Sequence, residues 1–191
     1  MMDKHQMIES IRSGMPERRW QHVQGVISTA IVLAGRFGAD PDKAELAAIL
    51  HDLAKYWPVD RMEEAIREEG ADLGILSYDK ELWHAPAGAW ISRRDYGVAD
   101  IEVLDAVRYH TSGRAGMTLL DKVVCLADYM EPGRDFPGVE GIRELAETDL
   151  DAALGAGFDS TIRFLLEKGK VIYPLTLAAR NDLITTITNR H

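Results

Sequence analysis

Apolar residues recur along most of this chain at spacings of three and four, the period of helices buried along one face. Asp3 is placed to cap a short helix that ends by Gly14. Pro16 suits the first turn of a long second helix, where Trp20, Val23, Ile27, Ala30, Ile31 and Ala34 predict the buried face. Gly38 stops that helix, and Asp40-Pro41 reads as N-cap and first turn of a third, running to about Tyr56. Pro58 permits a restart, so Val59 to Glu69 predicts a charged surface helix ended by Gly70. Further helices are expected over 79–95, 99–110, 118–130, 139–147, 149–168 and 174–188. Gly97, Gly113, Gly116, Pro132-Gly133, Gly169 and Pro174 punctuate them. No alternating strand pattern exceeds a few residues, and no repeat, low-complexity tract or linker divides the chain. The expectation is all-α, in one domain.

At 191 residues the chain is long enough to bury a sizeable core without staples. Its 46% hydrophobic and 28% charged residues are ordinary for a globular protein. The balance of 22 Lys+Arg against 31 Asp+Glu leaves −9, a poor match to duplex DNA or anionic lipid. Any phosphate ligand must then be held by a few local cations or a metal. The single cysteine, Cys125, excludes an internal disulfide and a thiolate zinc cluster. The start, Met-Met-Asp-Lys-His-Gln, lacks an apolar signal region, and no run long enough to span a bilayer follows. A cytoplasmic protein is expected, with no membrane or nucleic-acid polymer as partner.

Two stretches carry unusual chemistry. Ala47-Ala48-Ile49-Leu50-His51-Asp52-Leu53-Ala54-Lys55 is an apolar helix interrupted by an imidazole and a carboxylate side by side. Helix neighbours point about 100° apart, yet both can reach one ion beside the seam between them. Equally, Asp52 can pair with Lys55 while His51 fills the core. Val123-Val124-Cys125-Leu126-Ala127-Asp128-Tyr129-Met130 is apolar on nearly every side and contains one acid. A buried carboxylate costs several kcal/mol unless paired or metal-bound, and Lys122 lies on the wrong side to be its partner. Asp128 needs a cation from elsewhere, an arginine or a metal. Together His22, His51, Asp52 and Asp128 supply imidazoles and carboxylates that suit octahedral Fe, Mn, Co or Mg better than tetrahedral zinc. His84 and His110 add two more imidazoles near helix ends.

This set resembles a known family. His22, then His51-Asp52, then Asp128 is the H…HD…D signature of HD-domain phosphohydrolases. Arg-Arg-Trp-Gln-His22, His51-Asp52-Leu-Ala-Lys55 and Leu82-Trp-His84-Ala-Pro86 are similar to one branch, the bacterial symmetrical diadenosine tetraphosphatases. So are His110-Thr111-Ser-Gly113, Ala127-Asp128-Tyr129-Met-Glu131-Pro132-Gly-Arg134 and Tyr173-Pro174-Leu-Thr176-Leu-Ala-Ala-Arg180-Asn181. The likeness covers residues 16 to 182; a departure is Ser112, where a second Thr is expected. It implies an HD fold with its metal-site core over 16–135 and helices over 139–188 completing a nucleotide site. It implies a metal on His22, His51, Asp52 and Asp128, iron first, with Mn, Co or Mg as alternatives, as one ion or two. It also implies that Arg19, Trp20, Gln21, His22, His84, His110, Thr111, Asp128, Tyr129 and Arg134 line the nucleotide. The strip Val171-Ile172-Tyr173-Pro174-Leu175-Thr176 joins them, its backbone reading a base edge and Tyr173 packing on the base.

The expected chemistry is phosphoryl transfer, in which positioned cations stabilise charge on non-bridging oxygens. Asp52 can ligate the metal and take a proton from water. Lys55, Arg19 and Arg134 are candidate phosphate contacts. Singly, Arg19 reads equally as a surface residue, and Arg134 as the partner of Asp135. His84 or His110 can protonate the leaving oxygen or ligate a second ion, and the sequence leaves both open. The expected partner is a small nucleotide, with a homodimer neither required nor excluded. Alternatives are an HD phosphohydrolase for nucleoside monophosphates, alarmones or cyclic dinucleotides, and a nucleotide sensor without turnover.

Overall fold

A computed structural model describes residues 4–70 and 72–190; the expected cap at Asp3 lies outside them. Its helices are α1 (Lys4–Ser13), α2 (Glu17–Phe37), α3 (Pro41–Leu50), α4 (Val59–Glu69) and α5 (His84–Arg94). They continue as α6 (Ile101–Tyr109), α7 (Leu119–Met130), α8 (Val139–Leu145), α9 (Leu150–Glu167) and α10 (Pro174–Thr188). There is no strand among the described residues, and none of the helices is long and apolar enough to cross a membrane. The fold is all-α, as its periodicity predicts.

Local chemistry sets most boundaries. Asp40 accepts the Asp42 and Lys43 amides at the head of α3, and Asp100 caps α6 in the same way. Thr118 and Asp121 exchange bonds as a reciprocal cap on α7. Gly38 and Gly70 close α2 and α4 in left-handed conformations, as their positions predict.

The third helix stops at Leu50, well short of Tyr56. Beyond it, Leu53 bonds to Leu50, Lys55 to Asp52 and Trp57 to Ala54, each amide reaching three residues back. This tighter winding carries His51 and Asp52 beyond the regular helix, and both side chains are buried there. The expected 79–95 helix likewise splits, a 3₁₀ turn at Lys80–Leu82 giving way to α5 at His84. On α2 the buried face is Trp20, Val23, Val26, Ala30, Leu33 and Ala34, whereas Ile31 is 38% exposed.

Helix α7 is the axis of the packing. It touches α2, α3, α6, α8 and α9, and Leu120, Val123, Val124, Cys125, Leu126 and Ala127 are all buried. Enclosure on so many sides explains why α7 is apolar around most of its surface. Its C-terminal end brings Asp128 to α2 and the end of α3. A smaller core gathers Ala54, Met62, Ile66, Trp83, Ala87 and Tyr173 beside α4 and α5.

Candidate metal centre and nucleotide clefts

Five elements deliver side chains to one point. His22 comes from α2, His51 and Asp52 from the turn after α3, His84 from the head of α5, His110 from the end of α6, and Asp128 from α7. His22 Nε2 lies 3.1 Å from Asp128 Oδ1, 3.5 Å from Asp52 Oδ2 and 3.4 Å from His51 Nε2. His51 Nε2 is 3.2 Å from Asp52 Oδ2. His84 Nε2 is 3.4 Å from Asp52 Oδ1 and 3.1 Å from His110 Nε2.

The outward faces of the imidazoles reveal what the inward faces are for. His51 Nδ1 donates to the Ala48 carbonyl at 2.7 Å, His84 to Glu81 at 2.8 Å, and His110 to Val107 at 2.7 Å. His22 Nδ1 donates to the Glu131 carboxylate at 3.0 Å. A carbonyl or carboxylate oxygen can only accept, so each Nδ1 carries the proton. In a neutral ring Nε2 then turns a lone pair inward. Those of His84 and His110 face each other at 3.1 Å and repel unless a cation lies among them. Asp52 Oδ2 is buried without a hydrogen-bond partner, since Arg19 at 3.0 Å is not aligned to donate to it. His22, His51 and Asp128 can hold one ion, and His51, Asp52 and His110 offer a second grouping that shares His51. The donor set fits a divalent metal, and outward bonds that fix ring orientation are the usual support for one.

Electrostatics follow from this packing. Burial opposes ionisation of Asp52, but His51 and His84 beside it outweigh that and hold the carboxyl well below the usual range. Enclosure likewise works against Asp128, but His22 beside it and the Arg134 charge prevail and hold its carboxyl well below the usual range. Burial also disfavours charge on His51, whose pKa the Asp52 charge nevertheless raises. His84 moves well below its ordinary value through burial and the neighbouring His110. Burial and His51 push His110 down to about 4. Both acids are therefore ionised and both of these imidazoles neutral near pH 7.

Several expected partnerships change. Lys55 binds Glu81 at 2.9 Å and not Asp52, whereas Lys122 stays away from Asp128 as its position predicts and binds Asp151 at 2.7 Å. Arg134 pairs with Asp128 and not Asp135, its Nε donating to the Asp128 carbonyl at 2.7 Å and its Nη2 to the carboxylate. Arg19 is no bystander on the surface, being only 20% exposed against Asp52.

Two clefts flank the centre. One, of about 580 Å³, is lined by Arg18, Arg19, Gln21, His22, Tyr56 and Arg134 among others. The other, of about 690 Å³, is reached by His110, Thr111, Asp128, Tyr129 and Arg134. Thr111 Oγ1 stands 3.0 Å from His110 Nε2. Trp20 lines neither cleft; its ring is buried in the main core. The Tyr173 ring is buried as well, against Tyr78, and its hydroxyl donates to Asp72 at 2.5 Å. It cannot present a face to a base without leaving that core. Thr176 is buried, whereas Val171 and Pro174 are exposed and Ile172 and Leu175 half-buried.

The motif reading missed Glu131 as a partner of the site. Glu131 is 3% exposed, orients His22, and accepts the Gly133 amide at 2.6 Å. Gly25, one turn after His22, makes this possible, since a Cβ there would lie 2.4 Å from Glu131 Oε2. A glycine inside a helix, three residues from a candidate ligand, is the signal that something approaches closely. Gly25→Ala is expected to displace the Glu131 carboxylate, leave His22 free to rotate, and weaken metal affinity by about 10- to 100-fold. Titration of the metal-free variant with a first-row divalent ion measures this directly.

The HD domain family model matches residues 19–133. The chain belongs to the HD domain family. It is 47% identical over 184 residues to the symmetrical bis(5'-nucleosyl)-tetraphosphatase of Bacillus subtilis, with 96% of this chain and 99% of that protein covered. A protein of the same name from Halalkalibacterium halodurans is 48% identical over 183 residues, covering 96% and 98%. Among solved structures, an HD superfamily hydrolase from Clostridium acetobutylicum, described as involved in NAD metabolism, superposes with a TM-score of 0.93. It is 38% identical, over 97% of this chain and 99% of that one. The matched segment contains His22, His51, Asp52, His84, His110 and Asp128, which meet at the convergence point just described.

Proposed function

We propose that this protein is an enzyme that hydrolyses diadenosine tetraphosphate symmetrically to two ADP, at a metal held by His22, His51, Asp52 and Asp128. Relatives carrying that activity in their names align with nearly the whole chain. One observation carries the reading: inward-facing imidazole nitrogens and two carboxylates meet between two clefts that share Arg134 as a wall. A single reacting centre with room on both sides suits a phosphate chain running across it. Iron is the metal we propose, as the family resemblance implies; the mixed imidazole and carboxylate donors suit it as they suit Mn or Co.

When bound, the metal supplies a Lewis acid for a phosphoryl oxygen and acidifies a water. Asp52, ionised and with Oδ2 free of hydrogen bonds, accepts the proton of the attacking water. Arg134, Arg19 and Lys55 present cations to charge that builds on the non-bridging oxygens. Lys55 must leave Glu81 to do so, a small cost because Glu81 is 76% exposed. His84 and His110 are held neutral, which favours binding an ion or accepting a hydrogen bond over protonating the leaving ADP.

Symmetry of the products is the test. Diadenosine tetraphosphate should give two ADP with no ATP or AMP. In oxygen-18 water, a single turnover should label one ADP of each pair, on its terminal phosphate. ATP plus AMP would put the water on the wrong phosphorus, and a protein inert with metal loaded would overturn the assignment.

A further inference from the structure

We propose that the larger cleft, between the 134–137 loop and the C-terminal half of α9, seats one nucleoside of the substrate, with Phe164 stacking on its base. The inference rests on the function proposed above and deepens it. The cleft opens directly on the metal centre, since His110, Thr111 and Asp128 form part of its lining. Its volume of about 690 Å³ lies within the usual range for small-molecule sites. Beyond those residues Tyr129, Phe136 and Phe164 give its walls aromatic surface, with Arg134, Arg163 and Glu167 also in the lining.

Phe164 is the unexplained residue among them. It is 54% exposed in the C-terminal part of α9, where no residue after Phe158 is buried, and it borders a cleft that ends at the reacting centre. A purine offers such a ring a flat apolar surface, and stacking of this kind tolerates an exposed setting. Lys168 Nζ lies 5.9 Å from the same ring, so a cation stands beside the stacking surface. Thr161 and Glu167 supply hydroxyl and carboxylate groups for ribose or the exocyclic amine. The wall behind is firm: Tyr129 and Thr161 hydroxyls bond at 2.7 Å, and Gly157 lets the tyrosine ring approach, a Cβ there falling 3.1 Å from it.

The other cleft is different in kind. Arginines 18, 19 and 134 line it together with Glu131, Gln21 and the exposed Tyr56, a lining richer in cations for phosphate oxygens and with one aromatic ring in place of three. The 171–176 strip is not part of the larger cleft either; its Tyr173 belongs to the small core around Trp83. A dinucleotide with two identical ends needs a place for each base, and the Phe164 cleft is an aromatic one joined to the centre.

Steady-state kinetics of the metal-loaded enzyme on diadenosine tetraphosphate tests this with three variants. Phe164→Ala should raise KM about tenfold, as loss of one base stack does, with far less effect on kcat. Phe164→Tyr should restore a wild-type KM, because the stacking face is retained. Leu166→Ala, two positions along at a residue 64% exposed and outside the cleft, should change neither constant. Wild-type KM in Phe164→Ala, with two ADP still produced, would overturn the nucleoside seat and leave the proposed function standing. A wild-type enzyme inert on the dinucleotide would instead overturn the function, and this inference with it.

Discussion

Asp128→Asn is expected to strip the metal centre and lower turnover by at least about a thousandfold, roughly 4 kcal/mol in barrier height, while the helices stay folded. Asp128 serves three neighbours at once: His22 Nε2 at 3.1 Å, the Arg134 guanidinium, and the ion that the centre is built to hold. Asparagine keeps the shape but loses the charge that makes a hard cation welcome there. Arg134 retains its bond to the Asp128 backbone carbonyl, so the loop after α7 remains tethered. Compared metal-free, variant and wild type should therefore unfold within a few degrees of each other. Metal analysis, single-turnover rate and a thermal melt of each protein decide the matter. Full metal content at full rate would exclude Asp128 as a ligand, and unfolding without metal loss would return it to a structural part.

The fold was legible because helix punctuation is local chemistry. Asp40, Gly38, Gly70 and Pro174 act on their own neighbours, and each ends or begins a helix where such residues should. The third helix misled for the same reason in reverse. Nothing between Ala47 and Tyr56 is a breaker, so periodicity continues a helix that the structure tightens into successive turns. The tightened turns carry His51 and Asp52 into a cluster contributed from five separate elements, a context that local spacing does not show. Ile31 was a similar miss, since its neighbours on α2 leave that flank of the helix uncovered.

At the site, the charged and imidazole residues stood out because each was costly in its context, and such residues do converge. Pairings were harder to read than membership. Asp128 meets Arg134 across a sharp turn, and Lys55 meets Glu81 from another element, contacts that no helical spacing encodes. Glu131 was quoted within a motif but revealed as an orienting group only when α2 passed over it at Gly25. Phe164 carries no sequence signal, because an aromatic residue on an amphipathic helix reads as core until its exposure is known.

Replacing Arg134 separates the phosphate-binding role from the metal-binding one. Arg134→Met should lower kcat by about 10²- to 10⁴-fold on diadenosine tetraphosphate while the protein keeps its metal. The guanidinium walls both clefts, so it is the cation placed to serve phosphates on either side of the reacting centre. It is held there by the Asp128 carbonyl and carboxylate, and its own carbonyl accepts from Arg143 at 3.0 Å. Methionine preserves the length and packing of the stem but offers no donor. Without Arg134 the Asp128 carboxylate loses a competitor for its charge, so metal affinity should hold or rise. Arg134→Lys should recover little, since an ammonium cannot reproduce the planar fork. The contrast with Asp128→Asn is the decisive feature: one variant loses metal and rate together, the other loses rate alone. If Arg134→Met instead sheds metal in step with activity, the arginine acts by holding the ligand and does not touch phosphate.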